Sequence, residues 1–128
     1  MPNNVEREKK LILIVEDEPN NRELAVKILV FSGYETVCAF NGQEAVEKVK
    51  ETNPDLVLMD LSLPTMDGWE ATTAIRANPS YACLPIIAVT AHAMGGDRES
   101  ALEAGCTDYV SKPYCASQLV EIVKKYLV

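Results

Sequence analysis

The 128-residue chain carries 19 Asp and Glu against 12 Lys and Arg, a net charge of −7, with 48% hydrophobic and 24% charged residues. That is enough chain for one domain with a buried core, and too little for two ordinary ones. The acidic balance excludes a phosphate-backbone binder, which needs clustered cations, and no apolar run reaches the roughly 20 residues that span a bilayer.

The polar start, residues 1–10, reads as a flexible leader rather than a signal peptide or anchor, so a domain is expected over residues 11–128. The basic pairs Lys9-Lys10 and Lys124-Lys125 stand at the two ends and read as solvated. The expected setting is the cytoplasm, with neither nucleic acid nor membrane as partner.

The first element is the apolar run Leu11 to Val15, too short for a helix and without alternation. Such a run predicts a strand buried on both faces, as in the middle of a parallel sheet. Leu24, Ile28 and Leu29 predict one face of a first helix that Ser32-Gly33 ends. Tyr34 to Ala39 is mixed and predicts an edge strand. Asn41-Gly42 opens a second helix with Ala45, Val46 and Val49 on its apolar face, and Asn53-Pro54 stops it. Leu56 to Met59 repeats the buried-strand pattern. Ala71, Ala74 and Ile75 predict a third helix, on which Trp69 reads as a packing residue. Ile86 to Val89 is a fourth strand, Ala101 and Leu102 mark a weaker fourth helix, and Tyr109-Val110 a short fifth strand. Leu119, Ile122, Val123 and Tyr126 line a closing helix.

Strand and helix thus alternate five times. That pattern makes an α/β, doubly wound five-stranded parallel sheet with helices on both faces. Cys38, Cys83, Cys106 and Cys115 show no C-x-x-C spacing and have one histidine to join them. They are expected to be mostly buried free thiols in a reducing compartment.

Three strands run into polar residues: the first into Glu16-Asp17-Glu18, the third into Asp60, the fourth into Thr90. Ligands of open α/β sheets bind beyond the carboxyl ends of the strands, where strand order reverses. With strand order 2-1-3-4-5, the first and third strands are neighbours there, and Glu16, Asp17 and Asp60 converge. Two carboxylates about 4 Å apart repel by roughly 4 kcal/mol at an effective dielectric near 20. Three need protonation or a cation, and hard oxygen donors suit Mg²⁺. Glu18 reads as solvated. Lys112, after the fifth strand, is placed to reach an anion at the same strand ends, and Lys112-Pro113 is a candidate cis bond.

Ile14 to Asp17, Asp55 to Asp60, Leu63 to Gly68, Ala88 to Ala91 and Asp108 to Pro113, in that order, resemble the receiver domain of two-component response regulators. The resemblance covers Leu11 to Val128 and implies the flavodoxin-like fold of the chemotaxis type. By position it makes Asp60 the residue that accepts a phosphoryl group. Asp17 becomes a direct Mg²⁺ ligand, Glu16 a ligand through water, and the Ser62 carbonyl a further ligand. Thr90 becomes the switch hydroxyl, Lys112 the phosphate-pairing lysine, and Tyr109 the aromatic that turns on phosphorylation. Ser62 and His92 would tune access of water.

The implied partners are a histidine kinase or a histidine phosphotransfer protein upstream, and a protein target at helix 4, strand 5 and helix 5. The implied activity is limited to self-phosphorylation and autodephosphorylation. The segments His92 to Glu99 and Ala104 to Asp108 look like receivers of hybrid histidine kinases and DivK-type single-domain regulators. A free-standing regulator without an output domain, or a receiver cut from a hybrid kinase, are the two forms that fit. An aspartyl phosphatase would want an acid at Ser62, and a mononucleotide binder would want a phosphate-cradling loop where Glu16-Asp17-Glu18 stands. Gly95-Gly96 lies in no G-x-G-x-x-G and reads as an approach to helix 4. Tyr114-Cys115-Ala116 lacks the usual cap for the last helix.

Overall fold

The computed structural model describes residues 9–61, 68–90 and 98–127, with Arg98 and Ala101 described by backbone only. Ser62, His92, Gly95-Gly96, Leu63 to Asp67 and most of the expected leader lie outside them. The strands are β1 (Leu11–Val15), β2 (Glu35–Ala39), β3 (Leu56–Asp60), β4 (Ile86–Thr90) and β5 (Asp108–Ser111). The helices are α1 (Pro19–Phe31), α2 (Gly42–Thr52), α3 (Gly68–Arg76), α4 (Arg98–Ala104) and α5 (Ala116–Tyr126), with a 3₁₀ turn at Pro79–Tyr81.

All four pairings are parallel, as the alternating pattern predicts, and the strand order is β2-β1-β3-β4-β5, the order under which the first and third strands are neighbours. The unbroken apolar runs follow from this arrangement, because neighbouring residues of a strand face opposite ways. Leu13, Val15, Val57, Met59, Ile86 and Ala88 pack under α2 and α3, with Trp69 partly buried against them. Ile12, Ile14, Leu56, Leu58, Ile87 and Val89 pack with Ala25, Leu29, Leu119 and Val123 of α1 and α5.

Two helix faces differ from the hydrophobic reading. Leu24 is half exposed, and α1 buries Ala25 and Leu29 instead. On α3 Ala74 is exposed, whereas Thr72 is fully buried, its hydroxyl donating to the Gly68 carbonyl at 2.7 Å. The thiols also differ: Cys106 is buried and Cys38 half-buried, but Cys83 and Cys115 are exposed.

Capping residues set the strand-to-helix turns. Glu18 accepts the Asn20 and Asn21 backbone N–H groups at 3.1 and 2.9 Å, so this residue is the N-cap of α1 rather than a solvated acid. Asn41 Oδ1 accepts the Glu44 N–H at 2.8 Å. At the start of α5, the Gln118 side chain accepts the Cys115 N–H at 2.9 Å, the half of a capping box that needs no acid or serine at the N-cap.

Candidate functional site

The register carries the polar strand ends to one edge of the sheet. Val15 lies opposite Met59, Asp60 opposite Val89, and Thr90 opposite Ser111. Glu16 therefore leaves β1 beside the terminal residue of β3, and Lys112 leaves β5 beside the terminal residue of β4. The Lys112 N–H donates to the Thr90 carbonyl at 2.7 Å, and Lys112-Pro113 is cis.

Carboxylate oxygens of Glu16, Asp17 and Asp60 lie within 4.8 Å of one another. Glu16 and Asp60 are buried and Asp17 is exposed. Lys112 Nζ stands between two of them, 3.1 Å from Glu16 Oε1 and 3.1 Å from Asp60 Oδ2. The other Glu16 oxygen accepts the Glu18 N–H at 3.2 Å.

One lysine stands among three acids, and the carboxyl of Glu16 is affected. Burial, then the hydrogen bond and charge of Asp60, push the Glu16 carboxyl up to about 7, against the opposing pull of Glu18 and Lys112. Burial alone would weaken the Lys112 charge. The hydrogen bonds and charges of Asp60 and Glu16 outweigh it and hold the ammonium above the ordinary lysine value.

Close packing shapes the edge. A methyl at Gly68 would overlap the Asp60 carbonyl oxygen and come within 2.8 Å of Leu61 Cα, so α3 begins where only glycine fits. Thr90, 3% exposed, ends β4. Tyr109, half-buried, lies opposite Ala88 on β5 and packs against the cluster that contains Ala88. Of the residues singled out in the sequence, Glu16, Asp17, Asp60, Thr90 and Lys112 stand on this one edge, Tyr109 lies further down β5, and Ser62 and His92 are outside the described residues.

Two further residues reach this edge: Arg22, and Tyr114, which the sequence placed only before the last helix. Tyr114 lines a small crevice with Glu16 and Asp60. Burial and the Glu16 charge push its hydroxyl above the ordinary tyrosine value. It also lines, with Asn21, Leu24, Lys112 and Pro113, an open pocket of about 320 Å³. Its place two residues after Lys112 was the available signal. Arg22 donates to backbone carbonyls of the acidic turn, a contact that leaves no pattern in the sequence.

The oxygen-only donor set, two buried acids and one exposed at open strand ends, is chemically suited to a hard divalent cation. Comparison with known proteins agrees with the fold. Residues 12–124 match the response regulator receiver domain family. The polar-differentiation response regulator DivK of Brucella anthropi is 42% identical over 118 residues, 92% of this chain and 96% of that protein. The receiver domain of a sensor histidine kinase of Pseudomonas aeruginosa, solved with magnesium in its active-site cleft, is 39% identical with a TM-score of 0.87, covering 93% of this chain and 98% of that one. A chemotaxis response regulator of Vibrio cholerae shares 25% identity and a TM-score of 0.87, covering 92% and 98% of the two chains. With the 2-1-3-4-5 sheet and its acidic edge already in hand, these matches decide the family: the chain belongs to the response regulator receiver domains.

Proposed function

We propose that this receiver accepts a phosphoryl group on Asp60 in a Mg²⁺-dependent reaction and passes the resulting change of shape to a protein partner. The observation that carries the reading is the shared grip of Lys112 Nζ on Asp60 and Glu16, 3.1 Å from each, with Asp17 in the same cluster. Residues 11–128 would form the receiver unit.

Asp17 and Asp60 would hold Mg²⁺ directly, Glu16 through a water, and the Ser62 carbonyl would add a ligand. Bound there, the ion would neutralise charge on the phosphoryl oxygens. An Asp60 oxygen attacks the phosphorus of a phosphohistidine. The new P–O bond forms as the P–N bond breaks, and its electron pair leaves on the imidazole nitrogen. Lys112, already beside Asp60, donates to the transferred group, and its raised pKa keeps it cationic for that role. Buried Thr90 then turns its hydroxyl toward the transferred oxygens, and Tyr109 on the next strand responds to its movement. Ser62 and His92 are assigned the control of water access.

The donor would be a histidine kinase or histidine phosphotransfer protein, the target face α4-β5-α5, and the setting the cytoplasm. Among the described residues no helix is long and apolar enough to cross a membrane. DivK-type regulators stand among the relatives and a hybrid-kinase receiver remains the second reading, supported by the Pseudomonas likeness.

The test is incubation with acetyl phosphate and Mg²⁺. Wild type should acquire a hydroxylamine-labile phosphoryl group and Asp60→Asn none. Equal labelling of both would remove Asp60 from its role.

A further inference from the structure

Two of the three clustered carboxylates sit on the turn between β1 and α1, and the backbone of that turn is held by a residue outside the cluster. Arg22, in the first turns of α1, reaches back so that Nη1 donates to the Glu16 carbonyl at 3.1 Å and to the Asp17 carbonyl at 3.4 Å. Its guanidinium lies 4.3 Å from the centre of the Phe40 ring. Phe40 is itself anchored, its N–H donating to Glu44 Oε1 at 2.6 Å. The Glu16 N–H donates to the carbonyl of Ala39, the residue before Phe40, at 3.1 Å. Both backbone groups of Glu16 are thus tied, one to the end of β2 and one to a guanidinium that rests on the residue following β2.

We propose that Arg22, seated on Phe40, is a positioning residue for metal capture. It fixes the backbone at positions 16 and 17 so that both side chains present oxygens to the place Asp60 faces. This rests on the reading of Glu16, Asp17 and Asp60 as the Mg²⁺ cluster. Asp17 depends on it most, because it is the exposed member and has little packing to hold it. A turn free to rotate at its carbonyls would let that side chain swing into solvent, and the ion would have to order it again on binding.

The sign of the effect separates this role from two others. A guanidinium near a divalent site repels the ion, so if its charge were all that mattered, removing Arg22 would tighten Mg²⁺ binding. If Arg22 served only to stabilise the fold, its removal would lower metal-free stability and leave the affinity alone. A positioning role makes the affinity fall in a protein that remains folded.

The experiment is calorimetric titration of Mg²⁺ into wild type, Arg22→Ala, Arg22→Lys and Phe40→Leu, with metal-free thermal midpoints measured in parallel. Arg22→Ala should bind Mg²⁺ about ten-fold more weakly. Phe40→Leu should shift the affinity in the same direction by less. Arg22→Lys, which keeps the charge but not the planar fork, should fall between wild type and Arg22→Ala. Unchanged or tighter binding by folded Arg22→Ala overturns the inference. If Arg22→Ala does not fold, wild-type affinity in both Arg22→Lys and Phe40→Leu overturns it instead. A wild type that binds no Mg²⁺ removes the cluster reading and this inference with it. Normal wild-type binding with indifferent variants removes the inference alone.

Discussion

The two ends of the sheet use polar side chains in opposite ways. At the end where strands begin, polar side chains mainly tie down backbone groups of the turns. Arg76 donates from Nε to the Gly105 carbonyl at 2.8 Å, from Nη1 to the Tyr81 carbonyl at 2.6 Å, and from Nη2 to Thr107 Oγ1 at 3.2 Å. Thr107 Oγ1 in turn accepts the Ile86 N–H at 3.0 Å, and Asp55 Oδ2 accepts the Leu11 N–H at 2.7 Å. At the end where strands finish, Glu16, Asp17 and Asp60 are gathered with Lys112 to offset them. One end closes the fold. The other concentrates charge that a bound cation or phosphoryl group can use, and accepts some loss of stability without them.

If that division holds, damage at the first end should unfold the protein while leaving the chemistry, and damage at the second should do the reverse. The largest effect is expected from Arg76→Ala. It strips donors from the carbonyls of Tyr81 and Gly105 and should cost about 3 kcal/mol in urea denaturation, with Mg²⁺ affinity unchanged in the folded fraction. A stability near wild type would show that the strand-start end is not held this way.

The pH dependence sharpens the contrast, because the two ends should have slopes of opposite sign. The Glu16 carboxyl is raised to about 7 in the fold, so the folded state binds more protons than the unfolded one between the ordinary carboxylate range and pH 7. Its contribution to stability is full at low pH and lost as pH rises through that window. In chelator, wild type should lose on the order of 2 kcal/mol across it relative to Glu16→Gln. A flat difference between the two proteins would show that burial and Asp60 do not raise the Glu16 carboxyl.

Asp108, at the start of β5, runs the other way. Burial pushes its carboxyl up, but hydrogen bonds from Tyr126 Oη and the Tyr109 N–H, with Lys125, outweigh this and hold it below the ordinary value. Its contribution is present above the ordinary aspartate value and lost as pH falls through the depressed one. Tyr126→Phe, which removes a 2.7 Å hydrogen bond, should cost about 0.5 kcal/mol at neutral pH. That cost should vanish in acid, where the carboxyl is protonated in both proteins. A cost that stayed constant into acid would assign the effect to packing.

The sequence displayed the chemical end more fully than the structural one. Five strands were legible because three of them are continuous apolar runs, and buried parallel strands have no solvent face to interrupt the run. The acids were legible because they stand directly at the ends of those runs, where the topology has one place to put them. Helix faces were less so. Thr72 is polar by type and buried by position, since its hydroxyl is satisfied within α3, while Leu24 and Ala74 are apolar by type and face outward. Exposed Cys83 and Cys115 mislead for the same reason. The contacts of Arg22 and Arg76 were not legible at all. Both bind backbone carbonyls, acceptors that every residue carries, and Arg76 reaches Gly105 across 29 positions.

The proposal that residue 60 carries the phosphoryl group can be read at the level of the atom bonded. Protein incubated with acetyl phosphate and Mg²⁺ is reduced with borohydride, which converts an aspartyl phosphate to homoserine, and is then mapped by peptide sequencing. Homoserine should appear at position 60 and at no other carboxylate. Homoserine at position 17 or 55 with an intact Asp60 would contradict the account.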